Sequence, residues 1–352
     1  MKKILITLFL FSIIFSFAAV KLGFIYIGPV GDSGWTYAHD IGRQYLVKEL
    51  GNEVQTFYKE NVPEGAEAES VLRSLINLGC KAIFTTSFGY MDATLSVAQQ
   101  YPDVVFEHCS GYKTTKNVGT YFGRIYQPSF LSGMVAGAMT KTNKIGYVAP
   151  IPIPEVIRIT NAFALGVRFV NPKAKVHVIW VNAWYDPASE KEASISLLDL
   201  GCDVLASQQD SPAPLQAAEE RGAYSVGYNN DMRKFAPKGY LTAPIWNWGV
   251  FYTKVAKEIE NGTWKSSQYW GGLDDGVVKL AKFGNAVPPQ VKRLVNVIEK
   301  DIENGAFHVF SGPIYDQSGK LRVKPGTVLS DQKLLSMNWF VSNVEGTIPS
   351  SK

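Results

Sequence analysis

Three cysteines in 352 residues are too few for a disulfide framework. Cys80, Cys109 and Cys202 also lack the close Cys/His spacing of a metal site. Buried free thiols are the expected state, with a Cys80–Cys109 pair left open for an oxidising compartment. Charge of one sign is scarce as well: 35 Lys and Arg face 31 Asp and Glu, a net +4. No basic cluster interleaves with aromatics, so nucleic acid is not an expected partner. The four histidines (His39, His108, His177, His308) stand on scattered segments, none with a Ser, Cys or Asp in a nucleophile pattern. Gly28-Pro29-Val30-Gly31-Asp32-Ser33-Gly34 is glycine-rich but lacks both G-x-G-x-x-G spacing and the lysine of a phosphate loop. Beyond the first eighteen residues no apolar run is long enough to span a bilayer. Nothing here asks for a catalytic centre, a metal or a cofactor.

What is present begins with Met1-Lys2-Lys3, an apolar run from Ile4 to Phe17, and small residues at Ser16 and Ala18. This is the pattern of a cleaved secretory signal peptide over 1–18, too short for a good membrane anchor. No cysteine follows it to carry a lipid, so a freely diffusing periplasmic protein is expected. The rest is globular in composition, 46% hydrophobic and 19% charged, and long enough to predict two domains.

Short apolar strands alternate with helical stretches, the signature of βαβ units and parallel sheets. Strands are expected at 22–27, 81–86 and 103–107, and helices at 35–50, 67–78 and 91–100. A second series follows: a strand at 144–149, a helix near 160–169 and a strand at 176–181. The two series share more than order, because Leu78-Gly79-Cys80-Lys81-Ala82-Ile83-Phe84 recurs as Leu200-Gly201-Cys202-Asp203-Val204-Leu205-Ala206. The chain therefore reads as two copies of one α/β unit, roughly 20–120 and 144–240. Gly133-Met134-Val135-Ala136-Gly137, between them, is a close helix-packing face.

Open α/β sheets bind ligands at the carboxyl ends of their strands. The loops placed there are 28–37 and 87–90 in one unit, and 150–155, 182–187, 208–214 and 228–232 in the other. They carry Trp35, Phe88, Tyr90, Trp184, Tyr185 and Tyr228, with Trp246 and Trp248 close by. Trp35, Phe88 and Trp184 are the expected stacking residues, because a flat ring between aromatics gains about 1–3 kcal/mol per stacked base. The polar candidates are Asp32, Ser33, Asp210, Asn229, Asn230, Asp231 and Asn247; such groups match the paired donors and acceptors of a purine edge. Each also has a plainer role in capping or turn chemistry, Asp32-Ser33 before a helix above all. Tyr126 and Trp246 complete the candidate ligand set.

Four stretches carry a family likeness: Gly31-Asp32-Ser33-Gly34-Trp35-Thr36-Tyr37-Ala38-His39-Asp40-Ile41-Gly42, Phe130–Gly137 with Lys144–Val148, Gly227-Tyr228-Asn229-Asn230-Asp231, and Phe310–Gly319. Together they resemble the basic membrane protein family of solute-binding proteins, the purine-nucleoside-binding lipoprotein family, over nearly the whole mature chain. The resemblance implies a type I periplasmic-binding fold, two doubly wound Rossmann-like lobes joined by three hinge crossovers. It also implies capture of a small purine by lobe closure and delivery to an ABC permease in the inner membrane, by a monomer without cofactor. The family's stacking aromatics fall on Trp35, Phe88 and Trp184, its first acidic contact on Asp32, and its Asn-Asp pair on Asn230 and Asp231. Nucleoside-binding members carry a ribose-contacting lysine near the second crossover, where this chain has Trp246. That departure favours a free base, adenine first, over a nucleoside.

The expected organisation is a lobe of 19–123 plus about 247–268, and a second of 124–246 plus about 269–307. Residues 308–352 are an extension assigned to neither lobe. Two readings of other classes stay open: a ligand-sensing receptor ectodomain and a secreted purine-processing enzyme. Product formation from inosine or adenosine would mark the enzyme.

Overall fold

The computed structural model describes residues 19–31 and 33–349. The expected signal peptide and Asp32 lie outside the described residues. Chain order begins with β1 (Val20–Ile25), α1 (Trp35–Leu50), β2 (Val54–Lys59), α2 (Ala66–Asn77), β3 (Ala82–Thr85), α3 (Met91–Gln100), β4 (Val105–Cys109) and β5 (Val118–Gly123). It continues with α4 (Tyr126–Met139), β6 (Lys144–Ala149), α5 (Pro154–Val170), β7 (Lys175–Trp180), α6 (Pro187–Asp199) and β8 (Val204–Ser207). Then come α7 (Ala213–Glu220), β9 (Tyr224–Val226), β10 (Tyr240–Thr242), β11 (Pro244–Trp246), α8 (Trp248–Glu260), β12 (Gln268–Gly271) and β13 (Val278–Leu280). The chain ends with α9 (Pro289–Glu303), β14 (Ile314–Tyr315), β15 (Leu321–Val323), α10 (Asp331–Leu335) and β16 (Val344–Glu345).

Two six-stranded sheets organise these elements, in the orders β2-β1-β3-β4-β5-β12 and β16-β7-β6-β8-β9-β10. Every pairing within them is parallel. Central strands such as β3 and β8 are buried at all four positions, as strands covered by helices on both faces must be. The shared order reverses direction between the first and third strand of each sheet, so both lobes have a switch point, between β1 and β3 and between β6 and β8. The internal repeat of the sequence is thus a repeat of topology.

The chain passes between lobes three times: from β5 to α4, from β11 to α8, and after β12, which pairs with β5. Helix α8 packs on α1 of lobe one, whereas α9 packs on α4 of lobe two. Strands β11 and β13 form a short antiparallel ribbon. The small-residue face of α4 does what its composition suggested: a Cβ at Gly133 or Gly137 would run into the α5 backbone at Phe163 or Val167.

Residues 308–349 pack on lobe two. Helix α10 packs on α5 and β16 pairs with the edge strand β7. Fully buried Asn161 of α5 donates to the Trp339 carbonyl at 2.7 Å and accepts from the Val341 amide at 2.9 Å. All three cysteines are buried free thiols, which closes the question of a Cys80–Cys109 pair.

Candidate functional site

The loops after the two switch points meet. Gly34, at the entry to α1, lies so close to lobe two that a Cβ there would collide with the Asp210 backbone. Beside it the Asn230 side-chain amide donates to the Ser33 carbonyl. Ser33 has φ 63°, the left-handed region, which presents its carbonyl to the other lobe. The lobes are therefore closed on each other at residues 33–34, 210 and 230.

Behind this contact lies an aromatic cage at the hinge. Trp246 of β11 is 4% exposed and stacks on Trp248, ring centres 4.5 Å apart and 10° from parallel. Trp35 meets Trp246 edge-on at 5.6 Å and anchors its own indole N–H on the Thr86 carbonyl at 2.7 Å. His39 lies flat on the other side of Trp248 at 5.0 Å. Burial pushes the imidazole pKa well down, so it is neutral, and its Nδ1 shares a 2.5 Å hydrogen bond with Tyr252. The Trp246 indole N–H donates to Asn229 Oδ1 at 2.9 Å, while Asn229 Nδ2 donates to Asp210 Oδ1 at 2.7 Å. Asn229, at φ 66°, thus bridges the cage to the closure contact.

Residues 19–306 match the family model of PnrA-like ABC transporter substrate-binding proteins. The chain belongs to that family. A purine-binding protein of Brucella abortus (strain 2308) is 46% identical over 330 residues, 94% of both chains. A candidate ABC transporter glucose-binding protein of Haloferax volcanii is 42% identical, over 94% of this chain and 82% of its own. A solved ABC transporter solute-binding protein of Conexibacter woesei superposes with a TM-score of 0.72 at 21% identity, covering 82% of this chain and 98% of its own. It shares the fold of two periplasmic-binding lobes. The protein is accordingly an ABC transporter substrate-binding protein and not an enzyme; such proteins work outside the cytoplasm. No helix among the described residues is long and apolar enough to cross a membrane.

In this substrate-binding protein the candidate residues separate into groups. Trp35, Ser33, Asp210, Asn230 and Trp246 come together around the closure contact and the cage. Phe88 is 61% exposed after β3, where it stacks on Tyr112 at 6.0 Å. Trp184, after β7, is 37% exposed, and its carbonyl accepts from the Asp210 amide at 3.0 Å. Asp231 is ion-paired to Arg233 at 2.8 Å and exposed. Tyr126 stands at the hinge: its hydroxyl accepts from Arg124 at 3.2 Å and its ring lies edge-on to Trp270 at 6.0 Å.

Sequence reasoning missed a polar group in the floor of lobe two. Gln208 and Gln209 are fully buried at the end of β8; Gln208 accepts from the Tyr147 hydroxyl at 3.5 Å and bonds Tyr228, whereas neither amide atom of Gln209 has a hydrogen-bond partner among the described residues. Glu155, second residue of α5, makes no ion pair or hydrogen bond among the described residues. Desolvation pushes its carboxyl up to about 7, against the opposing pull of Arg158 one turn on. Its charge also raises the pKa of Tyr228 of lobe two and of Cys109 of lobe one, in both cases after the larger effect of burial. Position at a strand's carboxyl end was the signal available for Gln208 and Gln209; burial was not readable.

Proposed function

We propose that this protein captures a purine nucleobase, adenine in preference to a nucleoside, between its lobes and delivers it to an ABC permease. The observation that carries the reading is Trp246. It is buried against Trp248, perpendicular to Trp35, and spends its only donor on Asn229. An aromatic wall at this position suits a bare ring and offers no polar group to ribose hydroxyls. The purine-binding relative at 46% identity supports the same class of ligand.

In this reading Trp35 stacks on the ring, with Phe88 and Trp184 closing over it from loops of opposite lobes. Asp32, Ser33, Tyr126, Asp210, Asn230 and Asp231 serve binding or closure. Ser33 and Asn230 do so by joining the lobes, and Asp231 by fixing the 228–233 turn through Arg233. The closed form is what the permease recognises, and the open form admits the ring. Residues 1–18 direct export and are removed, leaving a free periplasmic monomer.

The test is a thermal-shift and calorimetric titration with adenine, guanine, hypoxanthine, adenosine, guanosine, inosine and glucose. A ligand at a hundred times its dissociation constant stabilises the fold by about 2.7 kcal/mol. Stabilisation by adenine but not adenosine is expected. A response to nucleosides alone would remove the Trp246 argument, and a response to glucose alone would replace purine by sugar, as the Haloferax relative's name suggests.

A further inference from the structure

Asn229 joins the hinge to the two lobe-two residues that meet lobe one. It is fully buried just after β9, and both ends of its carboxamide are engaged inside the protein. Oδ1 accepts from the Trp246 indole at 2.9 Å, and the Asn229 backbone carbonyl accepts from the Trp246 amide at 3.1 Å. Trp246 ends β11, the strand that leaves lobe two for α8, so Asn229 grips the second crossover twice. On its other side Nδ2 donates to Asp210 Oδ1 at 2.7 Å, and Asp210 supplies the backbone against which Gly34 of lobe one rests. Asn230 comes next in the chain and donates to the Ser33 carbonyl. The left-handed φ of 66° at Asn229 sets the direction of that next residue, and Asn is one of the few side chains that take it readily.

We propose that Asn229 is the positioning residue of lobe closure: it ties Asp210 and Asn230 to the hinge strand, so that the crossover and the closure contact move as one unit. The assignment rests on capture by lobe closure as read above, and not on which compound is captured. Asn229 acts through Asp210, Asn230 and Trp246. The role asks for a side chain that accepts at one atom and donates at the other, as a carboxamide does. The bond to Asp210 is charge-assisted and the bond to Trp246 is buried, so both are strong and directional. A carboxylate only accepts. Asn229→Asp therefore keeps the Trp246 bond and tolerates the left-handed backbone, but sets two acceptor oxygens against each other at Asp210. The 208–214 loop is then no longer held to the hinge. Fewer molecules form the closure contact, and apparent affinity falls by that fraction.

The experiment is calorimetric titration with adenine, and solution scattering with and without it, on the wild type, Asn229→Asp, Asn229→Gly, Asp210→Asn and the double variant Asn229→Asp with Asp210→Asn. Whichever compound of the panel above stabilises the wild type takes adenine's place if adenine does not. Each titration is run well below the variant's own melting temperature, so that lost stability alone moves neither reading. Asn229→Gly keeps the backbone turn and deletes both side-chain bonds. It and Asn229→Asp should each bind at least about tenfold more weakly than the wild type, and contract less on saturation. The double variant reverses the donor: the new amide at 210 donates to the new carboxylate at 229, which still accepts from Trp246. Adding Asn229→Asp to Asp210→Asn should therefore cost less than about threefold, whatever Asp210→Asn costs by itself. Asn229 variants that bind and contract like the wild type, or an Asn229→Asp loss that is the same in both backgrounds, overturn the assignment and leave closure standing. A wild type that binds without contracting removes closure as well.

Discussion

At the scale of single residues, closure depends on an atom that is absent. Gly34 meets the Asp210 backbone where a methyl group would not fit. Gly34→Ala should therefore hold the lobes apart, lowering ligand affinity at least tenfold while changing the ligand-free melting temperature little; calorimetry and solution scattering check the two halves. Trp246→Ala acts differently, emptying a packed cage and stranding Asn229 Oδ1. It should cost about 3–5 kcal/mol of stability, read from chemical denaturation. Of the residues singled out from sequence, Trp35, Ser33, Asp210, Asn230 and Trp246 do gather in one place, because strand-end topology told where loops converge. Glu155 and Gln208 escaped notice because Glu and Gln are ordinarily solvent-facing residues, and nothing in a single sequence marks a buried one.

At the scale of elements, β4 carries a carboxyl where a parallel strand is otherwise apolar. Glu107 is 4% exposed, accepts from the Trp264 indole at 2.8 Å, and is pushed up to about 8 chiefly by desolvation. Glu258 adds to the rise, while Lys254 and the Trp264 bond oppose it. The folded state thus holds a proton that the unfolded chain releases near pH 4.5, so stability falls as pH rises from there to about 8. Melting temperature should decline from pH 7 to pH 8, above the range in which the neutral buried His39 and His108 pull the other way, and Glu107→Gln, which keeps the Trp264 bond, should flatten that slope. Glu155 has the same sign and leaves a remainder. Strong helices such as α1 and α3 fall on their expected residues. Strand β4 begins two residues later than Asp103 suggested. Strand β2 went unread: it is a sheet edge with one buried residue of six, so its sequence carries little apolar pattern.

At the scale of the molecule, the segment beyond 307 braces the hinge and the second lobe together. Arg124, at the first crossover, bonds both carboxylate oxygens of Asp331 at 2.8 and 2.7 Å and lies over the Trp270 ring at 4.2 Å. Asp331 is itself more than half exposed, so Asp331→Ala should cost less than about 1 kcal/mol in a thermal melt. Ending the chain at 307 is a different matter. It bares β7, leaves Arg158, 2% exposed, without the Leu334 carbonyl, and unpairs Asn161. A fall of roughly 10 °C or more is expected, at about 2–4 °C per kcal/mol lost in a chain of this size class. Nothing in the sequence tied this segment to a lobe, since two-residue strands have no readable period.

The placement of β12 and β16 reaches beyond the finished protein. Lobe one receives its sixth strand from residues 268–271, and lobe two receives its sixth from residues 344–345. Neither is a contiguous piece of chain that could be cut out and refolded whole. During synthesis, the first lobe waits for three quarters of the polypeptide and the second for almost all of it. A nascent chain that completes nothing early remains threadable until it is nearly finished, the condition an export channel requires of its cargo.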